Sequence, residues 1–189
     1  GGVFFGNKNF VVQYIREMFP QDVPWESEWI NRLTIDIEVT APEFPDPEEA
    51  KWPVSSVTLY STRLKRFLVY TAPPVHFDVK RSSLDIDQSL ILHYHCRSEE
   101  DLLLTLMSHW DKLDFDVLTG WYSRYFDVPY LIRRVSRILG PDESLTFSPW
   151  RRVEFVQRRV KDRTLDSFEL FGITHLDYMD LFHKFGYAY

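Results

Sequence analysis

The chain has 189 residues, 44% hydrophobic and 26% charged, a balance that builds one compact domain and buries enough apolar surface to need no staple. Its single cysteine, Cys96, excludes an internal disulfide and a thiolate metal cluster and fits a reducing compartment; no run approaches the roughly 20 apolar residues of a membrane span. The formal charge of −6 excludes a surface that coats nucleic acid as a whole, yet between Leu131 and Arg163 nine basic residues face four acidic ones, a local +5 that leaves −11 elsewhere.

In chain order, Asn9 to Phe19 carries Phe10, Val11, Tyr14, Ile15, Met18 and Phe19 at helical spacing, with Pro20 as the stop. Leu33 to Thr40 alternates strictly and predicts a strand, and a loop with Pro42, Pro45, Pro47 and Pro53 follows. Val54–Tyr60 and Arg66–Thr71 predict a hairpin beside that strand, and Ser89–His95 a further short strand. Ser98-Glu99-Glu100-Asp101 resembles a capping box ahead of Leu102, Leu103, Leu106, Trp110 and Leu113 at helical spacing. Phe115–Trp121 reads as a strand. Asp127 stands where a helix N-cap would, with Pro129 in the first turn; Leu131, Ile132, Val135, Ile138 and Leu139 form an apolar stripe that Gly140-Pro141 ends. On that helix Arg133, Arg134 and Arg137 are expected on the solvated side. Val153–Val160 and Thr164–Phe171 predict a second hairpin, and Leu176–Phe185 either a helix or a strand followed by one. The sum is an α/β fold, a mixed sheet with helices packed on it.

The chemistry sits on the first strand. Leu33, Ile35, Ile37 and Val39 point one way and Thr34, Asp36, Glu38 and Thr40 the other, so Asp36 and Glu38 share a face about 6–7 Å apart. Two carboxylates held together raise each other's pKa unless a cation neutralises them. A pair of divalent ions about 3.5–4 Å apart fits that spacing and can activate a water and stabilise a leaving oxygen on phosphorus. Oxygen donors alone favour Mg²⁺ or Mn²⁺ over zinc. A bare Asp-x-Glu is equally what the wet face of an edge strand looks like. Asp127, opening a helix directly after a strand, is the third candidate carboxylate, and its side chain either caps that helix or binds the ion.

Three segments taken in order carry a family resemblance. They are Asp36-Ile37-Glu38-Val39-Thr40 with the loop Pro42-Glu43-Phe44-Pro45-Asp46-Pro47, then Leu118 to Tyr130, then Leu176 to Phe185. Together they resemble the 3′–5′ proofreading exonuclease domain of family B DNA polymerases, most closely those of large tailed bacteriophages. The resemblance implies a ribonuclease-H-like sheet flanked by helices, with an inserted basic β-hairpin. Residues 1–30 would be a lead-in from an N-terminal polymerase region, and residues 31–189 the exonuclease domain, truncated before its third motif. It assigns Asp36, Glu38 and Asp127 as catalytic residues and ligands of two Mg²⁺ or Mn²⁺ ions, with Glu38 also orienting the attacking water. The implied reaction removes a 3′-terminal nucleotide as a monophosphate. The partners would be a single-stranded or frayed 3′ end of DNA and the remainder of a parent polymerase, in the cytoplasm of a host, with no membrane. Two positions depart from the family's pattern. The Asn expected five residues before the second motif's Asp is Tyr122, and the third motif, a Tyr followed four residues later by an Asp, is expected beyond Tyr189. The opening Gly1-Gly2 and the close at Tyr187-Ala188-Tyr189 also look like those of an excised piece.

For nucleic-acid contact the candidates are Tyr122 and Phe126 beside the second motif and Arg151, Arg152, Arg158, Arg159, Lys161 and Arg163, expected in the second hairpin. Cations neutralise phosphates, and the interleaved Trp150 and Phe155 could stack on unpaired bases. Trp121 is expected in the core. Two other functions fit the same residues: a catalytically incomplete module that binds single-stranded DNA, and a stand-alone ribonuclease-H-like exonuclease closed by His175 and Asp180. Otherwise His175 is expected at the surface or half-buried.

Overall fold

The computed structural model describes residues 10–22, 24, 26–75, 87–160 and 162–186. The elements are α1 (Phe10–Met18), β1 (Arg32–Val39), β2 (Val54–Ser61), β3 (Arg66–Thr71), β4 (Ile91–His95), α2 (Glu99–Leu113), β5 (Val117–Gly120), α3 (Asp127–Ile138), α4 (Pro141–Ser144), β6 (Val153–Val160), β7 (Arg163–Leu170), β8 (Thr174–Asp177) and α5 (Tyr178–Phe185). Six strands form one sheet in the order β4-β3-β2-β1-β5-β8, and β6 and β7 form a separate antiparallel hairpin. β1, β2 and β3 run antiparallel in turn, whereas β5 pairs parallel to β1, β8 parallel to β5 and β4 parallel to β3. This is the mixed sheet with helices and an inserted hairpin expected of a ribonuclease-H-like fold.

Alternation in β1 decides which face is buried. Leu33, Ile35 and Ile37 are buried and Arg32, Thr34, Asp36 and Glu38 exposed, so the apolar face meets the helices and the acids stay wet. Leu33 and Ile35 join Val57, Leu59, Leu68 and Tyr70 from β2 and β3 in one core. Leu102, Leu103, Leu106 and Trp110 of α2 and Leu131 and Val135 of α3 close it. Among the described residues, no helix is long and apolar enough to cross a membrane.

α2 starts where its sequence says. The Ser98 side chain accepts the Asp101 N–H, and Glu99, Glu100 and Asp101 place negative charge at the positive end of the helix. The last segment resolves into a strand then a helix: Asp177 ends β8, and its carboxylate accepts the Met179 N–H to cap α5.

α3 departs from expectation on its basic side. Arg134 is buried, ion-paired with Glu99 at the start of α2, and donates to the carbonyls of Ala50 and Lys51 at 3.2 and 3.0 Å. Arg133 donates to the Pro47 carbonyl at 3.0 Å and pairs with Asp166 of β7 at 2.6 Å, and Arg137 donates to the Ala50 carbonyl at 2.8 Å. Arg134 is therefore buried and Arg133 half-buried, while Arg137 stays exposed as expected. They strap the loop after β1 onto α3, because its carbonyls have no strand to pair with and guanidinium groups supply the donors.

Candidate active site

At the carboxyl end of β1 a cavity of about 420 Å³ is lined by Asp36, Glu38 and Asp127, together with Phe44, Pro45, Trp121, Tyr122 and Phe126. The route by which Asp127 arrives there is visible in the register. β5 pairs with β1 only as far as Thr34↔Thr119, then leaves the sheet through a turn at residues 121–126. Further along β1 the Ile37 N–H lies beyond that pairing, and Asp127 Oδ1 accepts it at 2.9 Å. A carboxylate thus takes the place of the missing strand and is held on the backbone between Asp36 and Glu38.

This corrects the capping reading. Asp127 is the first residue of α3 rather than its N-cap, which is Phe126 with no side-chain bond. Burial pushes the Asp127 carboxyl up to about 7, and the nearby Asp36 and Asp177 add to the rise against the hydrogen bond from Ile37, which lowers it. Burial also raises Asp36. The three carboxylates line one cavity, where Asp36 repels Asp127. Among the described residues, no group of three His, Cys, Asp or Glu side chains stands ready to hold a metal. The donor set nevertheless fits a hard divalent cation: oxygen donors alone on one partly buried site, with Asp127 reluctant to ionise unless positive charge joins it.

The turn that delivers Asp127 is braced from β8. Asp177, 1% exposed, accepts the Tyr122 N–H at 3.2 Å and the Arg124 N–H at 2.9 Å, besides capping α5. Gly120 opens the turn with no room for a side chain. A Cβ there would meet the Ile35 carbonyl oxygen at 2.6 Å and Ser123 Cβ at 2.8 Å. Tyr122 has φ +61°, a left-handed conformation in which Asn is several-fold enriched, which gives a backbone reason for the Asn of the family's pattern.

Several expected residues fall elsewhere. His175 is buried, not at the surface, with Nε2 3.0 Å from the Ser123 hydroxyl. Burial lowers its pKa to about 3, helped by Arg124 and Arg158, so it is neutral near pH 7, and it does not line the acid cavity. His175 lies on β8 and Asp180 on α5, where Asp180 pairs with Arg124 at 3.7 Å, and neither lines the cavity of the β1 acids. Trp121 is 57% exposed rather than in the core, its ring facing Tyr178 and Phe182 of α5. Phe126 is half-buried against the core, and exposed Phe44 packs on it at 5.3 Å between ring centroids.

The basic candidates stand apart from the cavity. Arg151 and Arg152 precede β6 instead of lying in it; Arg151 donates to Thr146 Oγ1 at 2.7 Å, and Arg152 pairs with Glu154 and covers the Phe171 ring. Arg158 pairs with Glu169 across the hairpin. Arg159 and Arg163 are exposed with no ion pair among the described residues, and Lys161 lies outside them. Phe44 and Asp177 were not singled out as site residues from the sequence. The first has no signal beyond its place in the loop, and the second only that of an acid between a strand and a helix.

Comparison with known proteins shows the family of the chain. The family model described as DNA polymerase family B, exonuclease domain, matches residues 12–188. The DNA-directed DNA polymerases of Escherichia phage RB69 and Enterobacteria phage T4 are 29% and 27% identical over 97% of this chain. The DNA polymerase delta catalytic subunit of Candida albicans is 28% identical over 76% of it. The chain spans 22% of the length of each phage relative. With its sheet, its inserted hairpin and the acids of β1, the chain belongs to the exonuclease-domain family of family B DNA polymerases.

Proposed function

We propose that the chain removes nucleotides one at a time from the 3′ end of single-stranded or frayed DNA, as the proofreading part of a longer polymerase. The observation that carries this reading is the buried Asp127 carboxylate seated on the Ile37 N–H between Asp36 and Glu38. Asp36, Glu38 and Asp127 would hold Mg²⁺ or Mn²⁺, two ions in the fullest form of the reading. When bound, such ions supply Lewis acidity toward the attacking water and the leaving oxygen.

The chain's own residues do the rest. Glu38, exposed on β1, orients a water toward the terminal phosphorus. The water oxygen bonds to that phosphorus and releases a proton as the P–O3′ bond breaks, the 3′ oxygen of the penultimate nucleotide leaves and takes up a proton, and a nucleoside monophosphate departs. Phe44 and Phe126, one exposed and one half-buried on the cavity rim, give the terminal base an aromatic surface. Tyr122, on the same rim, borders the strand's last sugar. Arg159 and Arg163 on the hairpin, without ion-pair partners among the described residues, attract the phosphate backbone at longer range.

The test uses 5′-labelled single-stranded DNA with Mg²⁺ or Mn²⁺. The unmodified chain should give a ladder shortened from the 3′ end, and Asp36→Ala with Glu38→Ala should slow it by roughly 10²-fold or more. Equal digestion by the double variant sinks the reading. DNA binding without any digestion by either form would instead mark a binding module.

A further inference from the structure

A larger cavity, about 510 Å³, lies at the other end of β1 and shares no lining residue with the acid cavity. Its size is that of a small-molecule site. Its floor is Asn31, 3% exposed and fully engaged. The Asn31 amide donates to the Leu113 and Asp114 carbonyls at 2.9 and 2.7 Å. Its oxygen accepts the Thr62 hydroxyl at 3.4 Å and the Arg63 N–H at 3.3 Å. The turn between β2 and β3 is thereby pinned to the start of β1, with Lys65 at φ +52° closing it.

Around that floor stand Arg32, Arg63 and Lys65 against one acid, Glu28. Arg63 is paired with Asp114 at 2.6 Å. Arg32 and Lys65 are exposed and have no ion pair among the described residues. Two cations left open beside Trp29, 58% exposed, and half-buried Tyr60 are unusual in a chain whose net charge is −6. Cations that neutralise phosphate next to aromatic faces that accept a base are what a nucleotide requires.

We propose that this cavity binds a nucleotide, with Arg32 and Lys65 on its phosphate and Trp29 stacked on its base. The nucleotide has two possible sources: a free mononucleotide, or an internal residue of a single strand whose end lies in the acid cavity. Arg32 and Asp36 project from the same face of β1, about 13 Å apart along the strand, so one strand could reach both. Only the second source rests on the exonuclease reading; nucleotide binding itself does not.

The test takes the full chain in EDTA, where no hydrolysis intervenes. A short oligothymidylate carrying one 5-iodo-deoxyuridine is photo-cross-linked and the modified peptide mapped, with and without excess dAMP. The expected adduct lies at Trp29 or Tyr60. Arg32→Ala with Lys65→Ala should cut its yield about tenfold. Lys65→Glu, in an exposed turn, should weaken the same adduct without disturbing the fold. Competition by dAMP identifies the free nucleotide as a ligand; no competition identifies the strand. Adducts confined to the acid cavity or the hairpin, or a yield at Trp29 that neither Lys65→Glu nor the double variant changes, overturn the proposal. Failure of the exonuclease reading would show instead in digestion and leave this adduct in place.

Discussion

Two buried titratable groups, Asp127 and His175, pull stability in opposite directions with pH. The Asp127 carboxyl rises from 3.8 to about 7, so between those values the folded chain holds a proton that the unfolded chain has released. The retained proton makes the ion-free protein more stable as pH falls from 7 to 4. His175 falls from 6.5 to about 3, so between those values the unfolded chain takes up a proton that the folded one refuses. The stability that the neutral imidazole contributes is fully present above pH 6.5 and is lost as pH falls toward 3. The two largely cancel between pH 4 and 6.5, and each should emerge when the other is removed. In chelator, Asp127→Asn should leave stability falling with acid below pH 6.5, and His175→Gln should leave it rising as pH drops from 7 to 4. Each slope should approach about 1 kcal/mol per pH unit. Urea melts across pH check both, and parallel profiles for the two variants would contradict the assignment. Neither burial was legible in the sequence, since a His or Asp beside a strand carries no mark of what will cover it.

At the level of elements, the turn from β5 to α3 brings Asp127 to the cavity, and Gly120 sets its tightness. Gly120→Ala would place a Cβ 2.6 Å from the Ile35 carbonyl oxygen, a backbone atom of β1 that cannot swing aside. The substitution should cost about 1–3 kcal/mol and move Asp127 off the Ile37 N–H, slowing digestion well before the chain unfolds. Full activity in a Gly120→Ala protein of unchanged stability would show that the close approach is unimportant. The elements themselves were largely readable: alternation fixed the two faces of β1, and the Ser98 cap fixed the start of α2. The sense of the α3 arginines was not. Periodicity separates apolar from charged positions, but Arg134 is buried by the loop after β1 and by Glu99 of α2, both far away in sequence. Likewise, whether Leu176–Phe185 held a strand depended on β5 being there to pair with it, and the register Gly120↔Asp177 shows that it was.

On the scale of the whole molecule, the fold joins acids that are 89 residues apart in sequence, Glu38 and Asp127, by ending β5 short of the end of β1. The three acids are legible only through the order of the three motif segments, since each local setting alone reads equally as a solvated strand face or a helix cap. The sequence could not give the hydrogen bond that seats the third, the brace from Asp177, or the aromatic rim, since these exist only once β8 and the loop after β1 are in place. The basic hairpin was legible as strands and charge, yet the partners of Arg152 and Arg158 are acids on the hairpin itself, which leaves Arg159 and Arg163 as its open cations among the described residues. In the proposed site the carboxylates of β1 and Asp127 act on one divalent ion, and calorimetric titration of Mn²⁺ into the chain would reveal it. Binding that weakens at least about tenfold in both Asp36→Ala and Asp127→Asn is the predicted result. Mn²⁺ bound by Asp127→Asn as tightly as by the unmodified chain would contradict it.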